Sequence, residues 1–232
     1  MDQFENQRWT RAILALLVVA PIVFNAIVLL PELTVPVPTT NDSNAHFLMV
    51  RQASAALEQG ANPFDFWLPQ LELGFPQFLY YQHLPHLAVV ALHRLLLKQV
   101  GLFTLFNLVR YLLMVLFPVT VLWSMRTMGF SAIAAAIGAA CSSLFASDFH
   151  YGFDFDSYIW IGFGMYTQLW GVHLFFISIA CLQRLLTRGT GYLAAIVSTS
   201  ALALSHLLYA YIMAGSAIVL FLLALRRGSD AP

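Results

Sequence analysis

The chain has 232 residues, of which 60% are apolar and 9% charged, and its formal net charge is zero. A soluble domain carries about 25% charged residues, so the composition excludes an ordinary water-soluble globule and points to a membrane protein. Zero net charge leaves no global pull toward nucleic acid, and Cys141 and Cys181 both lie in apolar runs, which argues against a disulfide framework.

A bilayer core is about 30 Å thick and takes about 20 apolar residues of helix to cross. The first such run is Ala12 to Leu30. It is long for a signal-peptide core and no small-residue cleavage site follows, so it reads as an uncleaved transmembrane helix. Residues 31–102 then form a long outer loop. Pro31, Pro36 and Pro38 hold its start extended. Thr40-Asn41-Asp42-Ser43 supplies a helix start, Ala45 to Gln59 reads as the helix, and Gly60 is its C-cap. Asp42 and His46 are four apart and share a face at the first turn. The structural alternative is that Asp42 only caps this helix and His46 only tops it.

An aromatic stretch follows, from Asn62-Pro63-Phe64 through Gly74-Phe75-Pro76 to Tyr80-Tyr81. Its composition suits the membrane interface, either as an anchor or as a platform for a lipid-linked substrate. His83, His86 and His93 have the look of a metal set, but Pro85 interrupts them and no Cys or acidic ligand stands at a recognised spacing. The next apolar runs are Phe103 to Trp123, Ser131 to Ala146, Gln168 to Leu186 and Tyr192 to Leu225. The last would be about 51 Å long as one helix. It is therefore expected to fold as two, 192–208 and 209–225, around a turn near Ser205 to Tyr211.

Phe78 to Leu97 is apolar enough to cross, yet carries Pro85, His83, His86, His93 and Arg94. The positive-inside rule arbitrates. If the segment stays at the surface, Arg8, Arg11, Arg126, Arg184, Arg188, Arg226 and Arg227 fall on the cytoplasmic side, against Arg51, Arg94, Lys98 and Arg110 outside. If it crosses, the balance reverses to five inside against six outside. The expectation is therefore an all-α, polytopic transmembrane bundle of about six crossings (12–30, 103–123, 131–146, 168–186, 192–208, 209–225). Its first outer loop carries juxtamembrane helices, and both termini are cytoplasmic.

The second outer loop reads Asp148-Phe149-His150-Tyr151-Gly152-Phe153-Asp154-Phe155-Asp156-Ser157-Tyr158. Asp154 and Asp156 could hold a divalent cation through oxygen ligands, or one could serve as general base. A solvated connection kept out of the lipid is the plain alternative. His206 falls at the last outer turn, where a lone histidine is more often structural than catalytic.

An early acidic residue in a long outer loop, a helix ending in Gly60, the Gly74-Phe75-Pro76 and Tyr80-Tyr81-Gln82-His83-Leu84-Pro85 segments, and an acidic second outer loop follow one another here. This order resembles the N-terminal half of the GT-C superfamily of membrane glycosyltransferases. The closest pattern is that of bacterial membrane proteins labelled "6-pyruvoyl-tetrahydropterin synthase-related", from which no pterin chemistry is inferred. The resemblance implies transfer of a sugar from a polyprenyl-phosphate carrier on the outer face of a bacterial plasma membrane. It assigns Asp42 as base and Asp154 or Asp156 as assisting carboxylate, with Mg or Mn as the divalent cation some members bind there. His46, Tyr80, Tyr81, His83, His150 and His206 are the candidates to contact substrate. Relatives often carry two adjacent acidic residues in the first loop, whereas Ser43 follows Asp42 here. They also have more helices, so the chain is expected to be the N-terminal part of a larger protein.

Overall fold

The structure is a computed structural model that describes residues 8–34, 43–69, 73–144 and 166–229. Among these residues every regular element is helical, apart from one isolated antiparallel bridge between Leu68 and Phe75. Asp42, His150, Asp154 and Asp156 lie outside the described residues.

Helix α1 (Arg8–Val28) exposes Trp9, Ile13, Leu16, Val19, Val23 and Ile27, a face that only lipid can solvate well. A short α2 (Pro31–Thr34) follows. Helix α3 (Ser43–Glu58) ends where the sequence predicts: Gly60 takes φ +72° and the Ala61 N–H reaches the Ala56 carbonyl at 2.8 Å, a Schellman close. Helices α4 (Gln77–Tyr80) and α5 (Leu84–Leu95) come next. Helix α5 buries Pro85, His86, Val89, Val90 and His93, one stripe at helical spacing, against α3. Its 12 residues span about 18 Å, short of the about 30 Å a crossing needs. Met49, Val50, Ala53, Phe66, Leu68, Phe78, Val89, Val90 and Phe106 form the core of this cap at one end of the bundle.

The run expected as one crossing from Phe103 to Trp123 is broken into α6 (Leu102–Val115) and α7 (Phe117–Thr127), bent by 48°. Pro118 has no N–H for the Met114 carbonyl, which instead accepts from Asn25 Nδ2 on α1 at 3.3 Å. One residue earlier, the Leu113 carbonyl accepts from His173 Nε2 at 2.7 Å, and Thr120 Oγ1 donates to His173 Nδ1 at 2.7 Å. Neighbouring helices thus satisfy backbone groups exposed by the bend, as an apolar surrounding requires.

Helix α8 (Ala132–Cys141), capped by Ser131 Oγ, packs on α1 and α7. Helix α9 (Tyr166–Arg188) is central and touches α6, α7, α10 (Tyr192–Ser205) and α11 (Leu207–Ser229). Along α10, Gly191 lies beside Arg184, and Ala194 to Ala201 share a groove with Cys181, Ile177 and Leu174. His206 then lies against Gly171, and Tyr209 stacks near Phe175 at 5.8 Å. Neighbours on α9 decrease in number along α10 and increase again after His206, so the chain doubles back there, within the turn the sequence predicts.

Among the described residues three helices are long and apolar enough to cross a membrane, Arg8–Val28, Tyr166–Arg188 and Leu207–Arg226, and the count is four when the bent α6–α7 pair is taken as one span. The chain is a membrane protein of helical type. Its charge is polarised: Arg8, Arg11, Arg126, Arg184, Arg188 and Arg226 gather at one end, while of the described carboxylates Glu58 closes α3 and Asp65 lies between α3 and α4.

Candidate functional site

A polar nest sits at the end opposite the arginines, where α3, α4, α5, α9 and the α10–α11 turn meet. Ser43 and His46, on the first turn of α3, are 2% and 3% exposed. His86, on the first turn of α5, is fully buried. The two imidazoles meet at 2.9 Å, His46 Nδ1 to His86 Nε2, with ring centroids 5.1 Å apart. Tyr81 and Tyr166 flank them, with ring centroids 5.8 Å and 5.3 Å from that of His46.

Hydrogen bonds lock the surroundings. Tyr166 OH donates to the Pro85 carbonyl at 3.0 Å, which pins the first residue of α9 to the first turn of α5. Tyr81 OH pairs with Thr167 Oγ1 at 3.2 Å. Gln77 is buried beside them on α4, with its Oε1 making no hydrogen bond to the described residues. His206 enters because residue 171 is glycine: a Cβ there would lie 2.8 Å from His206 Cβ. Its Nδ1 accepts from the Tyr209 N–H at 3.4 Å and so caps α11. The ring lies within electrostatic range of His46.

Burial pushes His86 well below the ordinary histidine range, and the neighbouring His46 pushes it further; the Gln82 and His83 carbonyls offset part of this. His86 is thus held neutral. Its Nδ1 makes no well-formed hydrogen bond, yet those two carbonyls are the acceptors nearest in effect. A neutral imidazole carries one donor and one acceptor nitrogen, so one ring of the pair donates to the other across the 2.9 Å contact.

Of the substrate-contact candidates, the fold brings His46, Tyr81 and His206 together. His83 stands beside the nest, stacked against Phe64 at 5.2 Å and Phe78 at 6.0 Å, and burial lowers its pKa too. Tyr80 points away: it is 73% exposed and packs on Phe75 at 5.4 Å. His83, His86 and His93 do not converge, since His86 turns to His46 and His93 is two turns further along α5. Among the described residues no group of three or more His, Cys, Asp or Glu could hold a metal ion. The assignments of Asp42, Asp154, Asp156 and His150, with any cation on the aspartates, fall outside the described residues.

Sequence reasoning missed the His46–His86 pairing, and with it Gln77, Tyr166 and Thr167. The rings are 40 positions apart, and only the packing of α5 on α3 joins them. One signal was present: Pro85-His86 opens a helix whose buried stripe continues through Val89 and Val90 to His93. Comparison of the chain with protein-family models, curated proteins and solved structures gives no match.

Proposed function

We propose that the chain is a membrane glycosyltransferase of GT-C type, or the N-terminal module of one, taking its sugar from a polyprenyl-phosphate donor on the outer face of the membrane. The observation that carries this reading is where the two acidic segments attach. Asp42 immediately precedes Ser43, and the segment with Asp154 and Asp156 leads into Tyr166. Ser43 and Tyr166 are both walls of the buried histidine nest. Chains that enter and leave one polar site are suited to deliver carboxylates to it. In this reading Asp42 activates the acceptor hydroxyl, His46 relays or shares its proton with His86, and Asp154 or Asp156 assists, with or without Mg or Mn. His206 and Tyr81 would contact phosphate or acceptor. The exposed Phe64, Trp67, Leu79 and Tyr80 would lie along the lipid carrier.

The arrangement that goes with it has six crossings, both termini and all six described arginines of the basic end on the cytoplasmic side, and the nest outside. Helices α8 and α10 are short for full crossings, so the nest would sit below the outer interface rather than above it. The alternative is a non-catalytic membrane protein that binds a lipid carrier or an assembly partner; the exposed aromatic loop favours it equally.

Two measurements test the proposal. With Cys141 and Cys181 replaced, Gln59→Cys is expected to react with an impermeant thiol reagent in intact cells and Thr190→Cys only after permeabilisation. Both positions are exposed. Reaction at Thr190 in intact cells would place the basic end outside and end the proposal. In membranes supplied with polyprenyl-phosphate-linked radiolabelled sugars, transfer is expected to disappear in Asp42→Asn. Full transfer by that variant would remove Asp42 from the base role. Undiminished carrier binding with no transfer by the unaltered protein would favour the alternative.

A further inference from the structure

The nest is not the only place where polar and apolar features converge. A groove of about 360 Å³ lies near the basic end, between α7, α9 and α10. Its walls are apolar, chiefly Leu174, Ile177, Val197 and Ala201. Trp123 and Arg184, both exposed, complete its lining. Its volume lies in the range of small-molecule sites, about 300–1,000 Å³.

Arg184 is the feature that selects an occupant. It projects from the last turns of α9, is exposed, and makes one hydrogen bond among the described residues, Nε to Thr190 Oγ1 at 3.3 Å. That bond holds the guanidinium beside Gly191, where the backbone takes φ +89° and no side chain intervenes. The terminal nitrogens remain for another acceptor. No described carboxylate lies at this end of the bundle, and Arg188, one turn on, adds a second positive charge. An apolar trough with an unpaired guanidinium fork at the depth of a helix end matches one chemistry: an acyl chain joined to a phosphate.

We infer that this groove is a binding site for an anionic phospholipid, with one acyl chain along α9 and α10 and the phosphate on Arg184. The inference is independent of the glycosyltransferase reading and of which end faces the cytoplasm. The occupant is a membrane lipid rather than a soluble phosphate, because most of the lining is hydrocarbon and only a lipid supplies both parts.

The test uses Trp123 as reporter, in the full chain with Trp9, Trp67, Trp160 and Trp170 changed to Phe and reconstituted in bilayers. Fluorescence quenching by chain-brominated phosphatidylglycerol is compared with quenching by chain-brominated phosphatidylcholine at equal mole fraction. A preference of about fivefold for the anionic lipid is expected from one arginine at the membrane surface. Arg184→Gln should bring the ratio close to one, whereas Arg184→Lys should keep most of it. Ala194→Phe, which fills the groove and leaves the charge, should also abolish the preference. Equal quenching by both lipids in the starting protein, or a preference that survives both Arg184→Gln and Ala194→Phe, would overturn the assignment. Circular dichroism of each variant distinguishes loss of the site from loss of the fold.

Discussion

Removing one ring of the His46–His86 pair is expected to cost more, per ring, than removing both. His86 is fully buried and its Nε2 has His46 Nδ1 as partner at 2.9 Å. His46→Leu leaves that nitrogen buried with no partner, a loss of about 1–3 kcal/mol. His86→Phe keeps the ring volume and takes away the His86 partner of His46 Nδ1 instead, for a loss of the same order. The double variant strands neither nitrogen, so it should fall short of the sum of the singles by about 1–2 kcal/mol. Thermal midpoints of the four proteins in the same detergent provide the reading. For a chain of this size about 1 kcal/mol moves the midpoint by roughly 2–4 °C, so the singles should shift by roughly 2–12 °C. Strictly additive losses would refute the hydrogen bond between the rings, and with it the nest as a connected polar unit.

The same pair predicts a pH dependence. Burial and His46 lower the pKa of His86 in the folded protein, so the unfolded chain binds the extra proton first. Stability is complete above the unfolded histidine value of about 6.5 and declines as pH falls below it, levelling off only beneath the folded value. Thermal midpoints between pH 7.5 and pH 5 should fall, and fall less in His86→Phe; an equal slope in both proteins would assign the effect to other groups. A third expectation concerns the aromatic loop. Gly74 takes φ +113°, and a Cβ there would overlap the Trp67 indole. Gly74→Ala should therefore cost about 1–3 kcal/mol, with partial recovery when Trp67→Ala is added. An unchanged midpoint would show that the loop yields without strain.

Much of this fold is legible in local pattern. The α3 start, its Gly60 close and the reversal at His206 follow from caps, a positive-φ glycine and the length of an apolar run. Boundaries of α1 and α9 move only by a few residues from the apolar runs 12–30 and 168–186. The break at Leu116 is different. Pro118 was in plain view, but an apolar run from Phe103 to Trp123 satisfies the length of a crossing without asking how its carbonyls are served. His173, Thr120 and Asn25 serve them or one another from three different helices. The site was legible only in part for the same reason. His46, Tyr81 and His206 could be marked as polar residues near one membrane face. Nothing local tells that His46 will meet His86, 40 positions on, or that Tyr166 will stand against both rings.

The cost of the nest bears on what it is for. Ser43, His46, Gln77, His86, Thr167 and Ser205 are all under 9% exposed in a protein whose other buried residues are mostly apolar. Each buried polar group needs a partner or loses about 1–3 kcal/mol, and Gln77 Oε1 and Ser205 Oγ have none among the described residues. A helix junction built for stability alone would be filled more cheaply by leucine and phenylalanine, which pack Phe78 and Phe106 a few ångströms away. The helix turn at His206 carries the same implication. Fourteen residues end α10 after about 21 Å, less than the about 30 Å of a bilayer core, in a turn where Ser205 is buried and His206 lies against Gly171. In the proposed reading, a buried polar pocket that pairs His46 with His86 and is bordered by Ser43 and Tyr166 would bring a water-soluble hydroxyl to a lipid-borne group.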